Sequence, residues 1–186
     1  MKNTLLLILF IFTVFYMGEV KAEFLFEPFA GIAINGTAEV ESGPSLTLSG
    51  SSYGLKFGAT RGGLIIGAAV DFATLDSTEK VSKTTDTVSS RLTSLLIGYD
   101  TTFMFRFWYK YIVAADNSVK KVDQIYNTGS GYSAGIGYLL IPHVSMNLEY
   151  TSYSTSKVLD NATAIEVDQN VSWQYILLSL SFPLKL

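Results

Sequence analysis

Histidine occurs once in this sequence, at His143, two residues before Ser145. On an extended segment that spacing puts a base and a hydroxyl on one face, the smallest arrangement from which a hydrolase nucleophile can be built. The pair stands at a turn, with no further residue that would orient it, and reads as an ordinary turn residue beside a serine. There is no cysteine, which excludes a thiol nucleophile, a disulfide frame and a thiolate metal site. No cofactor or metal site is read from the remaining residues, and no catalytic residue is assigned. A second group is more informative. Glu27, Lys56, Asp71, Arg106, Lys110 and Glu149 are three acids and three bases, set in stretches with few other charges. Equal numbers of opposite ions in apolar surroundings must pair, because an unpaired buried ion is costly. Arg106 has the fork geometry to hold one carboxylate through two parallel bonds. Such a network either plugs a closed interior or opens as the gate of a narrow pore, and the plug is the simpler reading.

The elements that carry these charges have a two-residue period. One face of 24–35 holds Phe24, Phe26, Ala30, Ile32 and Ile34, the other Glu27, Gly31 and Asn35. Seven more segments behave alike, near 50–60, 64–72, 89–99, 103–113, 126–140, 144–150 and 171–186. Each is close to the roughly 9–11 residues that a tilted strand needs to cross a bilayer. The last is the clearest: Ile176, Leu178, Leu180, Phe182, Leu184 and Leu186 share one face to the final residue. Throughout, one face is large and aromatic, while the other is Gly, Ser and Ala with the charges above. A soluble ligand-binding barrel would show the opposite arrangement. Large side chains on the outside of a narrow barrel need lipid to lie against, since water would meet a far larger apolar patch than monomers expose. Tyr53, Phe103, Tyr109, Tyr111 and Tyr150 then read as girdles at the lipid–water interfaces.

Connections near 61–63, 100–101 and 141–142 are tight. Those near 36–49, 75–88, 116–125 and 154–170 are longer and rich in Ser, Thr, Asp and Lys. The expected fold is all-β: an eight-stranded antiparallel up-and-down transmembrane barrel, with short turns at one end and four long surface loops at the other.

Residues 1–22 have the layout of a secretory leader. Lys2 precedes an apolar run from Leu5 to Met17, and Val20-Lys21-Ala22 supplies small–x–small spacing, so cleavage is expected after Ala22. Residues 23–186 then form one barrel domain. The chain has 13 Lys and Arg against 16 Asp and Glu, and loss of Lys2, Lys21 and Glu19 leaves 11 against 15. So weakly acidic a chain lacks the clustered basic face of a nucleic-acid binder.

Gly135-Ile136-Gly137-Tyr138, the turn at Pro142, Leu148-Glu149-Tyr150, Tyr153 and the alternating terminal strand resemble the small outer-membrane barrels related to the OmpA transmembrane domain and OmpX. The resemblance implies a monomer in a bacterial outer membrane, in contact with lipid and lipopolysaccharide and inserted by the barrel assembly machinery. Members usually end in Phe or Trp, whereas this chain ends in Leu186 with Phe182 four positions earlier. Nothing after the terminal strand corresponds to the peptidoglycan-binding domain of full-length OmpA. The leading functional expectation is a non-catalytic structural or surface-interaction role through the four loops. A narrow channel for small or hydrophobic solutes is the alternative, and a lipid-modifying enzyme the third.

Overall fold

The computed structural model describes residues 22–41, 43, 45–79, 83–119, 124–160 and 165–186. Of the expected leader only Ala22 falls among them, and cleavage after Ala22 lies outside what they show. The chain runs through β1 (Glu23–Val40), β2 (Ser45–Arg61), β3 (Leu64–Glu79), β4 (Thr85–Asp100), β5 (Phe105–Val119), β6 (Gln124–Ile141), β7 (Val144–Asp160), β8 (Ile165–Ser181) and a short β9 (Leu184–Lys185). Every neighbouring pair is antiparallel. β1 closes the sheet by pairing with both β2 and β8. β9 continues β8 beyond Phe182-Pro183, with Lys185 opposite Leu25 and Leu184 opposite Phe26. The result is a closed eight-stranded up-and-down barrel, in which no main-chain edge is left for lipid to meet.

The strands are longer than the sequence period suggests, at 15–18 residues for β1 to β8. The expected long loops are therefore corrected. Most of 36–49, 75–88, 116–125 and 154–170 is paired strand, and the connections left are 41–44, 80–84, 120–123 and 161–164. Thr37 pairs with Thr47, Thr78 with Thr85, and Lys157 with Asp168, all inside the segments read as loops.

What changes along each strand is the polarity of its two faces. On β3 the outward residues are Leu64, Ile66, Ala68, Val70 and Phe72, then Thr74, Asp76 and Thr78. On β7 they are Val144, Met146, Leu148 and Tyr150, then Ser152 and Ser154. On β8 and β9 they are Leu184, Phe182, Leu180, Leu178 and Ile176, then Gln174 and Ser172. The apolar part forms a belt. From Leu64 to Phe72 it spans about 27 Å of strand at about 3.3 Å per residue, or about 20 Å along the axis at a tilt of about 40°. Tyr53 stacks on Phe72 and Tyr109 on Tyr132, with ring centroids 5.5 and 6.2 Å apart, and Tyr132 leans on Tyr150. These rings form the upper girdle. Above them a hydroxyl-rich collar continues for about six residues per strand, some 15 Å of height.

The lumen inverts in the opposite sense. At the height of the belt it holds the charges. At the height of the collar it holds Ala38, Leu48, Leu75, Val88, Ala115, Val171 and Trp173, all buried. The upper barrel is thus apolar inside and polar outside, as in a water-soluble protein, and the lower barrel is the reverse.

Local irregularities correct two placements. Asn35, expected on the inner face, sits in a bulge of β1 with φ 50° and is exposed. Met104, which the alternation of 103–113 puts on the inner face with Arg106, Trp108 and Lys110, lies in the β4–β5 turn with φ 66° and is half exposed, because β5 starts only at Phe105. That turn is held by Thr101, whose Oγ1 donates to the Phe105 carbonyl at 2.8 Å.

Candidate functional site: a charged and aromatic lumen

Glu27, Lys56, Asp71, Arg106, Lys110 and Glu149 all point into the lumen and are each at most 5% exposed. They fall into two layers. In the lower, Glu27 on β1 receives Lys56 from β2 at 3.2 Å and Arg106 from β5 at 2.9 Å. Arg106 does not grip one carboxylate with both arms, as its fork geometry suggested. It spans two, its Nε lying 2.7 Å from Asp100 Oδ1. Lys185 on β9 reaches the other Asp100 oxygen at 2.8 Å. Asp100 and Lys185 were not in the expected set. Asp100 reads in sequence as a turn residue, and Lys185 as a polar break in an apolar strand. Only closure of the barrel brings β4 and β9 to the same mouth.

In the upper layer, the Lys110 ammonium sits 2.5 Å from Asp71 Oδ2 and 2.6 Å from Glu149 Oε1. Trp108 Nε1 donates to the remaining Glu149 oxygen at 2.5 Å. The layers meet at Trp108, since Lys56 Nζ lies 3.8 Å from the centre of its ring. Each side chain is placed by strand parity. Lys56, Arg106 and Lys110 are even-numbered inward positions, and shear sets which strands they meet.

The lumen also contains what the sequence reading excluded. Beside small and paired polar side chains only Trp108 was expected there, by its alternation with Arg106 and Lys110, yet Phe29, Tyr153, Trp173 and Tyr175 are buried inside as well. The Gly-rich inner face makes room for them. Trp108 lies in register between Gly98 and Gly135, and a Cβ on Gly135 would run into the indole. Phe29 pairs with Gly54, whose missing Cβ leaves space for the phenyl ring. Tyr153 pairs with Gly131. A glycine directly across the ladder is a signal for these three, whereas Trp173 stands between Tyr153 and Ala38 and Tyr175 opposite Thr151, with no glycine in register to mark them.

Above the charges, Tyr153 and Trp173 stack at 6.2 Å with planes 10° apart. The Tyr153 hydroxyl is 3.1 Å from Ser90 Oγ and 3.0 Å from the Asn117 side chain. Trp173 Nε1 donates to Thr155 at 3.1 Å. A void of around 10 Å3, room for about one water, lies among Leu25, Glu27, Lys56, Arg106 and Trp108.

His143 and Ser145 do not share a partner. His143, in the β6–β7 turn with φ 71°, has Nδ1 3.3 Å from the Pro183 carbonyl. Ser145 is fully buried and donates to Asn147 Oδ1 at 2.8 Å. On the outside, Leu178, Leu180, Phe182, Leu184 and Leu186 are 38–78% exposed, and Ile176 is half-buried.

No family model matches the chain, and no curated protein matches its sequence. Solved structures do match its fold. Neisserial surface protein A (NspA) superposes with a TM-score of 0.53 at 18% identity, over 87% of this chain and 98% of that one. Ail, the attachment invasion locus protein of Yersinia pestis, gives a TM-score of 0.50 at 9% identity, over 87% and 98%. The outer membrane protein OprG from Pseudomonas aeruginosa gives 0.47 at 13% identity, over 90% and 98%. The architecture of this chain is that of the small outer-membrane β-barrels.

Proposed function

We propose that this chain is a non-catalytic, monomeric β-barrel of a bacterial outer membrane. It is exported by its leader, inserted by the barrel assembly machinery, and bathed in outer-leaflet lipid and lipopolysaccharide. Its role is structural or surface-interactive: it carries a rigid barrel extension and four hairpin tips beyond the membrane. Binding at the tips would use side chains on a fixed scaffold, the usual arrangement for surface recognition.

The observation that carries this reading is the double inversion of polarity along one closed sheet. A belt with apolar side chains outward needs lipid, and a collar with apolar side chains inward needs water outside it. The chain meets both conditions only if it spans a membrane and protrudes from one side. The packing of the lumen weighs against a channel, because an ion or solute would have to displace Lys110 from two carboxylates and then part Tyr153 from Trp173.

The test is migration and conductance. In the outer-membrane fraction, the unboiled protein should run at a different apparent mass from the boiled one. In planar bilayers it should give no steady conductance. Open-channel currents would overturn the non-conducting role, and recovery as a soluble periplasmic protein would overturn the membrane placement.

A further inference from the structure

The hydroxyl collar is unusual in composition for the exterior of a β-sheet. Its hydroxyls stand in register across strands. Ser51, Thr74 and Ser89 form one row over β2, β3 and β4, and Ser130, Ser154 and Ser172 another over β6, β7 and β8. All but the partly covered Ser89 are exposed. Strand spacing places successive members of a row about 4.8 Å apart. The rows begin where the belt ends, directly above the Tyr53, Tyr132 and Tyr150 girdle.

Charge is sparse at this height. A soluble surface is about 25–35% charged, and a surface built to hold lipid phosphates would show Lys and Arg. Next to the belt the described outward cation is Arg91, and its in-register neighbour is Asp116. The other described charge in these rows is Glu39, in register with Ser172, while Asp76, Glu79, Asp86 and Asp168 stand farther from the belt. A neutral row of donors and acceptors suits a partner that offers the same groups at the same height. Resting on the outer-membrane reading above, we propose that the collar is a contact surface for the uncharged sugars of lipids in the leaflet it protrudes from. It would exchange hydrogen bonds with saccharide hydroxyls while the belt holds the acyl chains. The tyrosines beneath would offer ring faces at the sugar–acyl boundary.

The test uses the full-length mature barrel refolded into vesicles of phosphatidylcholine, either alone, with dihexosyl diacylglycerol, or with phosphatidylglycerol. After mild extraction, the ratio of each added lipid to phosphatidylcholine retained on the barrel is compared with the ratio in bulk. The dihexosyl lipid should be enriched about threefold or more, roughly one net hydrogen bond per lipid, and phosphatidylglycerol should not. A variant combining Ser51→Ala, Thr74→Ala and Ser154→Ala should insert normally and lose the enrichment. Equal retention of all lipids, preference for phosphatidylglycerol, or enrichment that survives the three substitutions would each overturn the proposal. Failure to insert into any vesicle would instead overturn the membrane reading on which it rests.

Discussion

Replacing Lys110 with methionine removes one charge and leaves two carboxylates in place. Lys110 is fully buried, with Asp71 at 2.5 Å and Glu149 at 2.6 Å. At an effective dielectric of about 20, each contact carries about 6 kcal/mol of gross attraction. Most of that is cancelled by the several kcal/mol that each ion loses on leaving water. Removing only the cation keeps the desolvation of the acids and discards the attraction, so Lys110→Met should cost about 3–5 kcal/mol. With a urea slope of about 2 kcal/mol per molar, the midpoint for unfolding from vesicles should fall by about 1.5–2.5 M. Tryptophan emission is a suitable readout, because Trp108 donates to Glu149. The companion variant Asp71→Asn, Lys110→Met, Glu149→Gln keeps the shape and removes every charge of the layer. It should recover most of the lost stability. A midpoint within about 0.3 M of the parent for Lys110→Met, or a triple variant no better than the single one, would refute the argument that this layer is a mutually neutralising plug.

Other substitutions test the remaining parts of the structure. Gly135→Ala should cost about 1–3 kcal/mol by urea unfolding, since its Cβ meets Trp108 and the adjoining ladder leaves the ring no retreat. Tyr153→Phe should cost about 1–2 kcal/mol by the same measurement, because Ser90 and Asn117 both lose a buried partner. Ile97→Lys, at the middle of the belt and 52% exposed, should lower stability in a bilayer by about 2–4 kcal/mol. Ser130→Lys in the collar should stay within about 0.5 kcal/mol of the parent in phospholipid vesicles. If the two lysines have equal effects, the belt's upper boundary is misplaced.

The belt was legible in the sequence because there the period of two coincides with a contrast of size. Phe105, Phe107, Tyr109 and Tyr111 alternate with Arg106, Trp108 and Lys110, and no other element gives that pattern. The upper barrel was not legible, because its alternation has the opposite phase. Ser45-Leu46-Thr47-Leu48-Ser49 alternates as strictly as the terminal strand. However, its serines and threonines point outward, and polar runs of that kind also make loops. Side-chain direction followed from parity, whereas pairing did not. Which base meets which acid depends on the stagger between strands, and Arg106 is shared between Asp100, its register partner on β4, and Glu27 on β1. Phe29, Tyr153, Trp173 and Tyr175 were hidden by the same rule that made the faces readable. A face rich in glycine reads as small until the ladder shows what each glycine stands beside.

One closed sheet standing in two solvents will also not respond to temperature as a single body. The collar is held shut by apolar groups withdrawn from water, an attraction that weakens on cooling and strengthens with excluded salts such as sulfate. The belt exchanges one apolar neighbour for another, and its interior is tied by ions. Chilling should therefore loosen the mouth that faces the outside while the part within the lipid stays closed. The proposed binding at the tips would then depend on conditions in the surrounding water more than on the state of the membrane.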